Sequence, residues 1–137
     1  MDRITQWQRS TLMSKVRGKN TRPEKAVRSL LHRLGFRFRL HVKELPGSPD
    51  IVLPKYKAVI FVHGCFWHQH PGCKKASVPE TRKDFWNGKL QRNVERDEQN
   101  KNDLQNLGWS VLVVWECELK SVNNLSIRLK KELIIDV

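Results

Sequence analysis

The chain has 137 residues, of which 39% are hydrophobic, and it carries a formal net charge of +12. This length suits one compact domain over residues 1–137 and excludes two independent cores. No apolar run approaches the roughly 20 residues that a membrane span needs, and the N-terminus lacks the apolar segment of a signal peptide. We therefore expect an intracellular, cytoplasmic protein with no membrane partner. The cations are spread along the whole chain, which indicates a polyanionic partner such as nucleic acid.

The N-terminal part predicts a basic arm followed by a helix. Residues 1–20 hold several cations and little apolar periodicity, which favours an arm or a short helix. Thr21 and Glu24 form a capping box, and an apolar stripe follows until Gly35, so we predict a helix here. The stripe consists of Ala26, Val27, Leu30, Leu31 and Leu34.

Three strands are predicted after this helix. Residues 36–42 alternate between apolar and polar, which is the period of a half-buried strand. The runs "DIVL" and "AVIFV" are separated by four residues, a spacing that suits two adjacent antiparallel strands. The second run has no polar alternation, as expected of a central strand that is covered on both faces.

The second half of the chain predicts a helix, a strand and a closing helix. Residues 81–107 carry apolar side chains at roughly helical spacing, and we predict one helix with a break near Gly88. "SVLVVWE" supplies a buried strand, and leucines four apart predict the last helix. These leucines are Leu125, Leu129 and Leu133. The order α, β, β, β, α, β, α predicts an α/β fold with a central mixed sheet and helices on both faces.

The most unusual stretch is "VHGCFWHQHPGC", which holds three of the chain's five histidines and two of its three cysteines. Cys65, His70 and Cys73, with Cys117 far downstream, offer the Cys3His donor set of a structural zinc site. Cys65 and Cys117 each follow a predicted strand, and parallel neighbouring strands would bring them together. The alternative is three buried, inert cysteines, which are common as small hydrophobic residues. Four protein ligands leave no open position, so such a zinc ion would be structural.

Three further residues suggest a second site. Asp50 opens a strand that is followed by a hairpin, which is the layout of Mg²⁺-dependent nucleases, but Pro-Asp is also ordinary turn chemistry. The histidines that the zinc site leaves unused are His63 and His68. A lone histidine is more often a hydrogen-bonded structural residue, and for this pair both interpretations stay open.

Four stretches together resemble the very-short-patch repair DNA mismatch endonucleases, the Vsr family. They are "RGKNTRPEKAVRSLLHRLGFRFR", "LPGSPDIVLPKYKAVIFVHGCFWHQHPGC", "PETRKDFWNGKLQRNVERDEQN" and "LGWSVLVVWECEL". The resemblance covers residues 17–119, and "HGCFWH" and "VWEC" make it specific. It implies a restriction-endonuclease-like three-layer α/β/α fold with structural Zn²⁺, and a Mg²⁺-dependent enzyme that nicks one strand of duplex DNA 5′ of the thymine in a T:G mismatch.

The resemblance also implies roles for individual residues. Asp50 would bind Mg²⁺ together with the main-chain carbonyl of Val62. His68 would be the base or orient the attacking water, and His63 would contact the scissile phosphate or the leaving group. Glu24 would touch the water shell of the metal, a role that is compatible with its place in the capping box if the helix N-terminus faces the site.

Aromatic residues and the basic arm are implied to contact DNA. Apolar wedges enter a duplex at least cost where pairing is already weak, as at a mismatch. On the major-groove side the matching aromatic residues are Phe66, Trp67 and Trp86. The arm would approach from the minor groove, through Leu12, Met13, Arg17 and Lys19. The remaining strand-associated tryptophans, Trp109 and Trp115, are predicted to pack in the core.

The zinc loop departs from the family pattern. Gln69 stands where members often show another histidine, and Pro71–Gly72 changes the loop before Cys73. Because His70 and Cys73 remain, we expect the metal site to survive with a changed loop path.

Two alternatives to a T:G-specific nicking enzyme stay open. One is a homoduplex restriction or nicking endonuclease on the same scaffold, because a fold does not fix a substrate. The other is a non-catalytic zinc module that binds distorted DNA, in which Asp50 only caps a turn. A strand-asymmetric lesion has no two-fold axis, so we expect a monomer acting on the nucleoid. The sequence does not identify repair-pathway partners or the flanking base preference.

Overall fold

The structure is a computed structural model and describes residues 20–134. The predicted DNA contacts at Leu12, Met13, Arg17 and Lys19 lie outside these residues. The elements follow the predicted order. The helices are α1 (Arg22–Arg33), α2 (Lys83–Asn106) and α3 (Val122–Ile134), and the strands are β1 (Arg39–Leu40), β2 (Ile51–Leu53), β3 (Ala58–His63) and β4 (Ser110–Trp115). Short 3₁₀ helices lie at Pro54–Tyr56, Lys74–Ala76 and Glu116–Lys120.

The four strands form one mixed sheet in the order β1-β2-β3-β4. The hairpin from β2 to β3 is antiparallel, as predicted, and β3 pairs with β4 in parallel. In the parallel register His63 lies opposite Trp115. The carboxyl ends of β3 and β4 therefore meet at one edge of the sheet, where the loops after them begin.

Helices pack on both faces of the sheet. On one face the apolar sides of α1 and α3 meet alternate residues of β2, β3 and β4, including Ile51, Ile60 and Val114. On the other face Leu104 of α2 packs against Val52 and Val59. The prediction of an α/β fold with a central mixed sheet between helical layers is confirmed.

The first helix is capped almost as predicted. The Thr21 side chain accepts a hydrogen bond from the Glu24 amide, with nitrogen and oxygen 3.4 Å apart, and Pro23 follows in the first turn. In a capping box the Glu24 side chain would in turn accept from the amide of Thr21. Here Glu24 Oε2 accepts from the amide of Asn20 instead, with nitrogen and oxygen 3.1 Å apart. Its carboxylate thereby stays close to the helix N-terminus, which favours negative charge.

Two predicted boundaries are wrong. The strand expected over residues 36–42 is limited to Arg39–Leu40, because Phe36 turns into the core against Tyr56 and His41 has a left-handed backbone (φ +49°). The break expected near Gly88 is absent, and α2 runs without interruption. One glycine costs a helix only about 1 kcal/mol, which 24 residues of continuous helix tolerate.

The described helices include none that combines the length and the apolar composition of a membrane span.

Candidate active site and metal centre

The four predicted zinc ligands come together beyond the ends of β3 and β4. Each of the four offers one ligand atom, and all of these atoms lie within 4.8 Å of one another. His70 Nδ1 lies 3.7 Å from Cys65 Sγ and 3.4 Å from Cys117 Sγ. The parallel pairing of β3 with β4 thus brings Cys117 to a loop that is more than 40 residues earlier in the chain.

The arrangement of these side chains fits a tetrahedral ion. In a tetrahedral site, bonds of about 2.3 Å to sulfur and about 2.0–2.1 Å to nitrogen place a nitrogen and a sulfur ligand roughly 3.6 Å apart. The two distances from His70 Nδ1 are close to this value. Cys65 is fully buried, and this burial raises the pKa of its thiol to about 12. A buried thiol with that pKa stays protonated unless a cation replaces the proton, so a bound divalent ion would suit this cluster.

Gln69 accounts for the unusual path of the loop. It adopts a left-handed backbone (φ +50°), and its side-chain Nε2 donates to the carbonyls of Phe66 (2.7 Å) and Ala76 (3.1 Å). Gly72 also has a positive φ of 73°. The side-chain amide of Gln69 therefore fastens the two ends of the loop on either side of His70.

The acidic half of the site is built by α1 and the start of β2. Glu24 is buried at the N-terminal turn of α1, and Asp50 immediately precedes β2. Together with His41 they form a second group whose ligand atoms lie within 4.8 Å of one another. Glu24 is also bound by Arg28, with NH2 and Oε2 3.0 Å apart. The helix N-terminus faces the site, so Glu24 caps α1 and lies beside Asp50 at the same time.

The environment of Asp50 opposes its ionisation. Burial raises the pKa of Asp50 to about 6, and the neighbouring Glu24 adds to this effect. The amide of Val62 works in the opposite direction, because it donates a 2.7 Å hydrogen bond to Asp50 Oδ2. A cation at this carboxylate would therefore relieve an unfavourable charge, as expected at a hard-metal site.

The group of Cys65, His70, Cys73 and Cys117 is called the cysteine cluster below. The two histidines next to it, His63 and His68, are stacked on each other. The rings of His63 and His68 have centroids 3.7 Å apart and planes at 4°. His68 Nδ1 lies 2.6 Å from Asp97 Oδ2 on α2. Burial, followed by the neighbouring His68, lowers the pKa of His63 to about 3, so its imidazole is neutral at physiological pH.

Sequence reasoning missed Asp97. The available signal was helical spacing in "NVERDEQN", since Asn93 and Asp97 are one turn apart and face the same loop. Asn93 Nδ2 donates to the carbonyl of Trp67 (3.1 Å), while Asp97 contacts His68. This face of α2 thereby holds the loop of residues 64–73 against the sheet.

The predicted aromatic residues form one cluster next to the histidines. Ring centroids are 5.1 Å apart for Phe66 and Trp67, 5.5 Å for Phe66 and Trp86, and 5.9 Å for Trp67 and Trp86. Phe85, which was not predicted, extends the cluster outward from Trp86 (5.3 Å) and is 46% exposed. The cluster gives the site an apolar rim.

Both strand-associated tryptophans are half-buried. Trp109 packs against the core cluster beneath α2, as predicted. Trp115 does not simply fill the core, because its ring stacks on His70 (4.2 Å, 11°) and meets His63 edge-on (5.2 Å, 71°). It lies between the cysteine cluster and the stacked histidines.

One cleft of about 1030 Å³ unites these features. Glu24, Asp50, both stacked histidines, Phe66 and Trp67 line it, and cations are also present. The lining cations are Arg22, Lys89 and Arg96. A cleft that combines a metal-competent carboxylate, imidazoles, cations and half-buried aromatic rings suits the hydrolysis of a phosphodiester in a nucleic acid.

Comparison with known proteins agrees with this chemistry. The profile of the family described as DNA mismatch endonuclease Vsr matches residues 1–75. The chain is 53% identical over 132 residues to the type II nicking enzyme V.XorIIP of Xanthomonas oryzae, with 96% of each chain covered. It is 48% identical to the type II nicking enzyme V.NmeAIP of Neisseria meningitidis, with 88% of this chain and 85% of that protein covered.

A third relative carries the family's own name. The chain is 47% identical over 118 residues to the DNA mismatch endonuclease Vsr of Escherichia coli, which covers 86% of this chain and 75% of that protein. Identity at this level over most of both chains establishes common ancestry. The chain belongs to the Vsr family of DNA mismatch endonucleases and is an enzyme that cleaves DNA phosphodiester bonds.

Proposed function

We propose that this protein is a Mg²⁺-dependent, strand-specific endonuclease that nicks duplex DNA on the 5′ side of the thymine in a T:G mismatch. The observation that carries the proposal is the shared cleft, where Asp50 and the stacked histidines lie beside Phe66 and Trp67. The residues proposed to cleave the phosphodiester and those proposed to sense weak base stacking would thereby be adjacent. We expect the enzyme to act in the cytoplasm, where its DNA substrate lies.

Asp50 and the main-chain carbonyl of Val62 are the proposed protein ligands of Mg²⁺, and Glu24 would bind its water shell. When bound, the metal would polarise the scissile phosphate and lower the pKa of the attacking water. The buried Glu24 is held in place by Asn20 and Arg28. The carboxylates of Glu24 and Asp50 therefore need little rearrangement to present oxygen atoms to a hard cation.

His68 would accept a proton from the attacking water, and His63 would contact the phosphate. A contact between Asp97 and His68 Nδ1 favours the tautomer that leaves Nε2 free to accept the proton of the attacking water. Attack by the water oxygen forms a new P–O bond, and the bond to the 3′ oxygen breaks, giving 5′-phosphate and 3′-hydroxyl ends. The neutral His63 would donate its single N–H to the scissile phosphate or the leaving oxygen.

The aromatic cluster would select the mismatch. Inserting Phe66 and Trp67, supported by Trp86, costs least at a step where stacking is already weak. The basic arm with Leu12, Met13, Arg17 and Lys19 would approach from the minor groove. The two sets of contacts together would hold one strand in a defined orientation, which accounts for a nick instead of a double-strand break.

The cysteine cluster is proposed to hold a structural Zn²⁺ ion through Cys65, His70, Cys73 and Cys117. Its role would be to keep the loop of Phe66 and Trp67 rigid. The mixed sheet between helical layers supports a restriction-endonuclease-like fold in a single domain over residues 1–137. We expect the enzyme to be a monomer, because its asymmetric lesion matches no two-fold axis.

A nicking assay on paired duplexes tests this proposal. One duplex contains a single T:G pair, and its partner has T:A at the same position with all other bases identical. We expect a Mg²⁺-dependent nick 5′ of the thymine in the T:G duplex and at least tenfold slower cleavage of the partner. Equal rates on the two duplexes would refute mismatch specificity.

A second candidate is a nicking endonuclease that acts on matched DNA at a defined sequence. The names of V.XorIIP and V.NmeAIP, both type II nicking enzymes, favour it. The same assay separates the two candidates, because this activity would cut T:A and T:G duplexes alike wherever the sequence occurs. Omitting Mg²⁺ from parallel reactions tests the metal requirement of either activity.

A further inference from the structure

Four rings form a continuous row from the cysteine cluster to the stacked histidines. His70 stacks on Trp115 with centroids 4.2 Å apart, and Trp115 meets His63 edge-on at 5.2 Å. His63 then stacks on His68 at 3.7 Å, and Asp97 ends the row through its 2.6 Å contact with His68. Stacked and edge-on arrangements at these distances are the favourable geometries for aromatic pairs.

The position of Trp115 is fixed from outside the site. Its amide donates to Glu118 Oε1 (3.0 Å), and Arg128 of α3 donates from NH1 to the same oxygen (2.7 Å). Arg128 NH2 also donates to the carbonyl of Val113 (2.7 Å). Since β4 is an edge strand among the described strands, these side chains satisfy backbone groups that no described strand pairs. They thereby anchor the backbone from which the indole extends.

His63 depends on ring contacts for its orientation. Its side chain is only 7% exposed, yet its Nδ1 has no hydrogen-bond partner among the described residues. A histidine at an active site is usually oriented by a hydrogen bond to one ring nitrogen. Here the rings of Trp115 and His68 contact the imidazole of His63 on two sides. The ring of Phe61 lies nearby, with its centroid 5.8 Å from that of His63.

We propose that Trp115 is a positioning residue for His63 and connects the cysteine cluster to the phosphate chemistry. This inference rests on the proposed function, in which His63 contacts the scissile phosphate. His70 supports one face of the indole, so the cysteine cluster contributes to the cleft as well as to its own loop. Loss of the indole leaves His63 without its edge-on neighbour and without a hydrogen bond at Nδ1 to replace it.

The test compares Trp115→Leu with Trp109→Leu in the full chain under single-turnover conditions on the T:G duplex. Trp109 is a matched control, because it is half-buried next to the same strand but packs on Lys57 (4.6 Å) beneath α2. We expect Trp115→Leu to nick at least tenfold more slowly at saturating DNA, with Kd for the duplex within threefold of wild type. Trp109→Leu should nick within threefold of wild type.

Two readouts separate positioning from a loss of structure. With Co²⁺ in the cysteine cluster, the thiolate absorption bands of Trp115→Leu should match those of wild type. In a double-mutant cycle, His63→Ala combined with Trp115→Leu should nick no more slowly than His63→Ala alone, because both changes act through one ring. Any of three results would overturn the inference. They are a double variant whose loss in nicking rate is the product of the two single losses, altered cobalt bands in Trp115→Leu, and a wild-type nicking rate for Trp115→Leu.

Trp115→Phe covers the case in which Trp115→Leu does not fold. It keeps an aromatic ring against both histidines, and we expect a rate between those of wild type and His63→Ala. A rate equal to that of wild type, with unshifted ring-proton resonances of His63, would refute the positioning role. Failure of the wild-type protein to nick any duplex would instead refute the proposed function.

Discussion

The cysteine cluster and the cleft that contains Asp50 and His63 lie at the same edge of the sheet but are built in different ways. Three of the four cluster ligands lie within nine residues of each other, and only Cys117 comes from elsewhere. The cleft draws on α1, β2, β3 and α2, and it keeps Asp50 and His63 in surroundings that disfavour charge. The cluster should thus stabilise the fold, whereas the cleft contains groups that oppose stability for the sake of chemistry.

Cys117→Ser should give the largest effect, because Cys117 is the member of the proposed zinc site that follows β4, whereas the other three lie in the loop after β3. We expect less than one equivalent of zinc in the purified protein, a fall in Tm of about 10 °C or more, and loss of both nicking and DNA binding. Metal analysis and thermal unfolding measure these changes. Ser110→Ala, at the exposed opposite end of β4, is the control and should match wild type. A Cys117→Ser protein of wild-type Tm would show that the cluster does not stabilise the fold.

Asp50→Asn should abolish chemistry without weakening the fold. The asparagine can still accept the hydrogen bond from Val62 but cannot supply an anionic metal ligand. We expect nicking to fall by about 1,000-fold or more while Kd for the T:G duplex stays within threefold. Asp103→Asn makes the same chemical change on α2 outside the cleft and should leave the rate unchanged. Normal nicking by Asp50→Asn would remove Asp50 from the metal site.

For Asp50→Asn we also predict a pH-dependent change in the free energy of unfolding. Because the folded-state pKa of Asp50 is raised from 3.8 to about 6, the wild-type protein loses stability as pH rises through this interval. Without added Mg²⁺, Asp50→Asn should therefore be more stable than wild type at pH 8, by up to about 3 kcal/mol, and equally stable near pH 3.5. Thermal unfolding without a chelator checks this difference, since a chelator would also remove zinc. A difference that does not depend on pH would contradict the burial of an ionised Asp50.

Asp97→Asn should have an intermediate effect on the rate. Asparagine can hydrogen-bond to His68 but can also present its amide to Nδ1 and favour the wrong tautomer. We expect nicking to slow by about 10- to 100-fold, the range for residues that orient a reacting histidine. Single-turnover rates between pH 5 and 9 measure the loss. Glu98→Gln, the exposed neighbour on α2, should behave as wild type, and an equal loss in both variants would refute a specific role.

Trp67→Ala should change selectivity more than rate. The side chain lies in the cleft beside Phe66, and removing it should lower the preference for T:G over T:A by about tenfold, since stacking of a ring on a base contributes roughly 1–3 kcal/mol. The ratio of nicking rates on the paired duplexes measures this preference. Phe85→Ala, at the exposed end of the same cluster, should lower it less. An unchanged ratio in Trp67→Ala would exclude Trp67 from mismatch selection.

The sequence predicted the cysteine cluster better than the cleft, for physical reasons. Cysteines beside glycine and proline in a short segment have few roles, and the parallel pairing needed for Cys117 followed from two buried strands. Asp97 was missed because a carboxylate on a polar helix looks like any solvated charge until the packing angle of α2 is known. The ring contacts of Trp115 with His70 and His63 were missed because the side-chain direction at a strand end depends on register.

Local conformation set the remaining limits of sequence reasoning. The strand expected over residues 36–42 was shortened by a left-handed backbone at His41, a conformation that nothing in the alternating pattern signals. Helical periodicity did identify α1, and its capping residues placed Glu24 at the site. The second half of the predicted capping box differs, because the amide of Asn20 donates to the Glu24 carboxylate in place of the amide of Thr21.

Gln69→Ala should produce the smallest effect and tests how far the loop depends on its metal. The change removes two hydrogen bonds to carbonyls, from Phe66 and Ala76, but leaves every cluster ligand in place. We expect a loss of about 1–2 kcal/mol in the free energy of unfolding, seen as a fall in Tm of a few degrees, with one equivalent of zinc retained. Gln99→Ala removes a side-chain hydrogen bond on the exposed face of α2 and should change Tm by less. If Gln69→Ala loses zinc as Cys117→Ser does, then the amide of Gln69 is needed to assemble the cluster, and the metal does not hold the loop by itself.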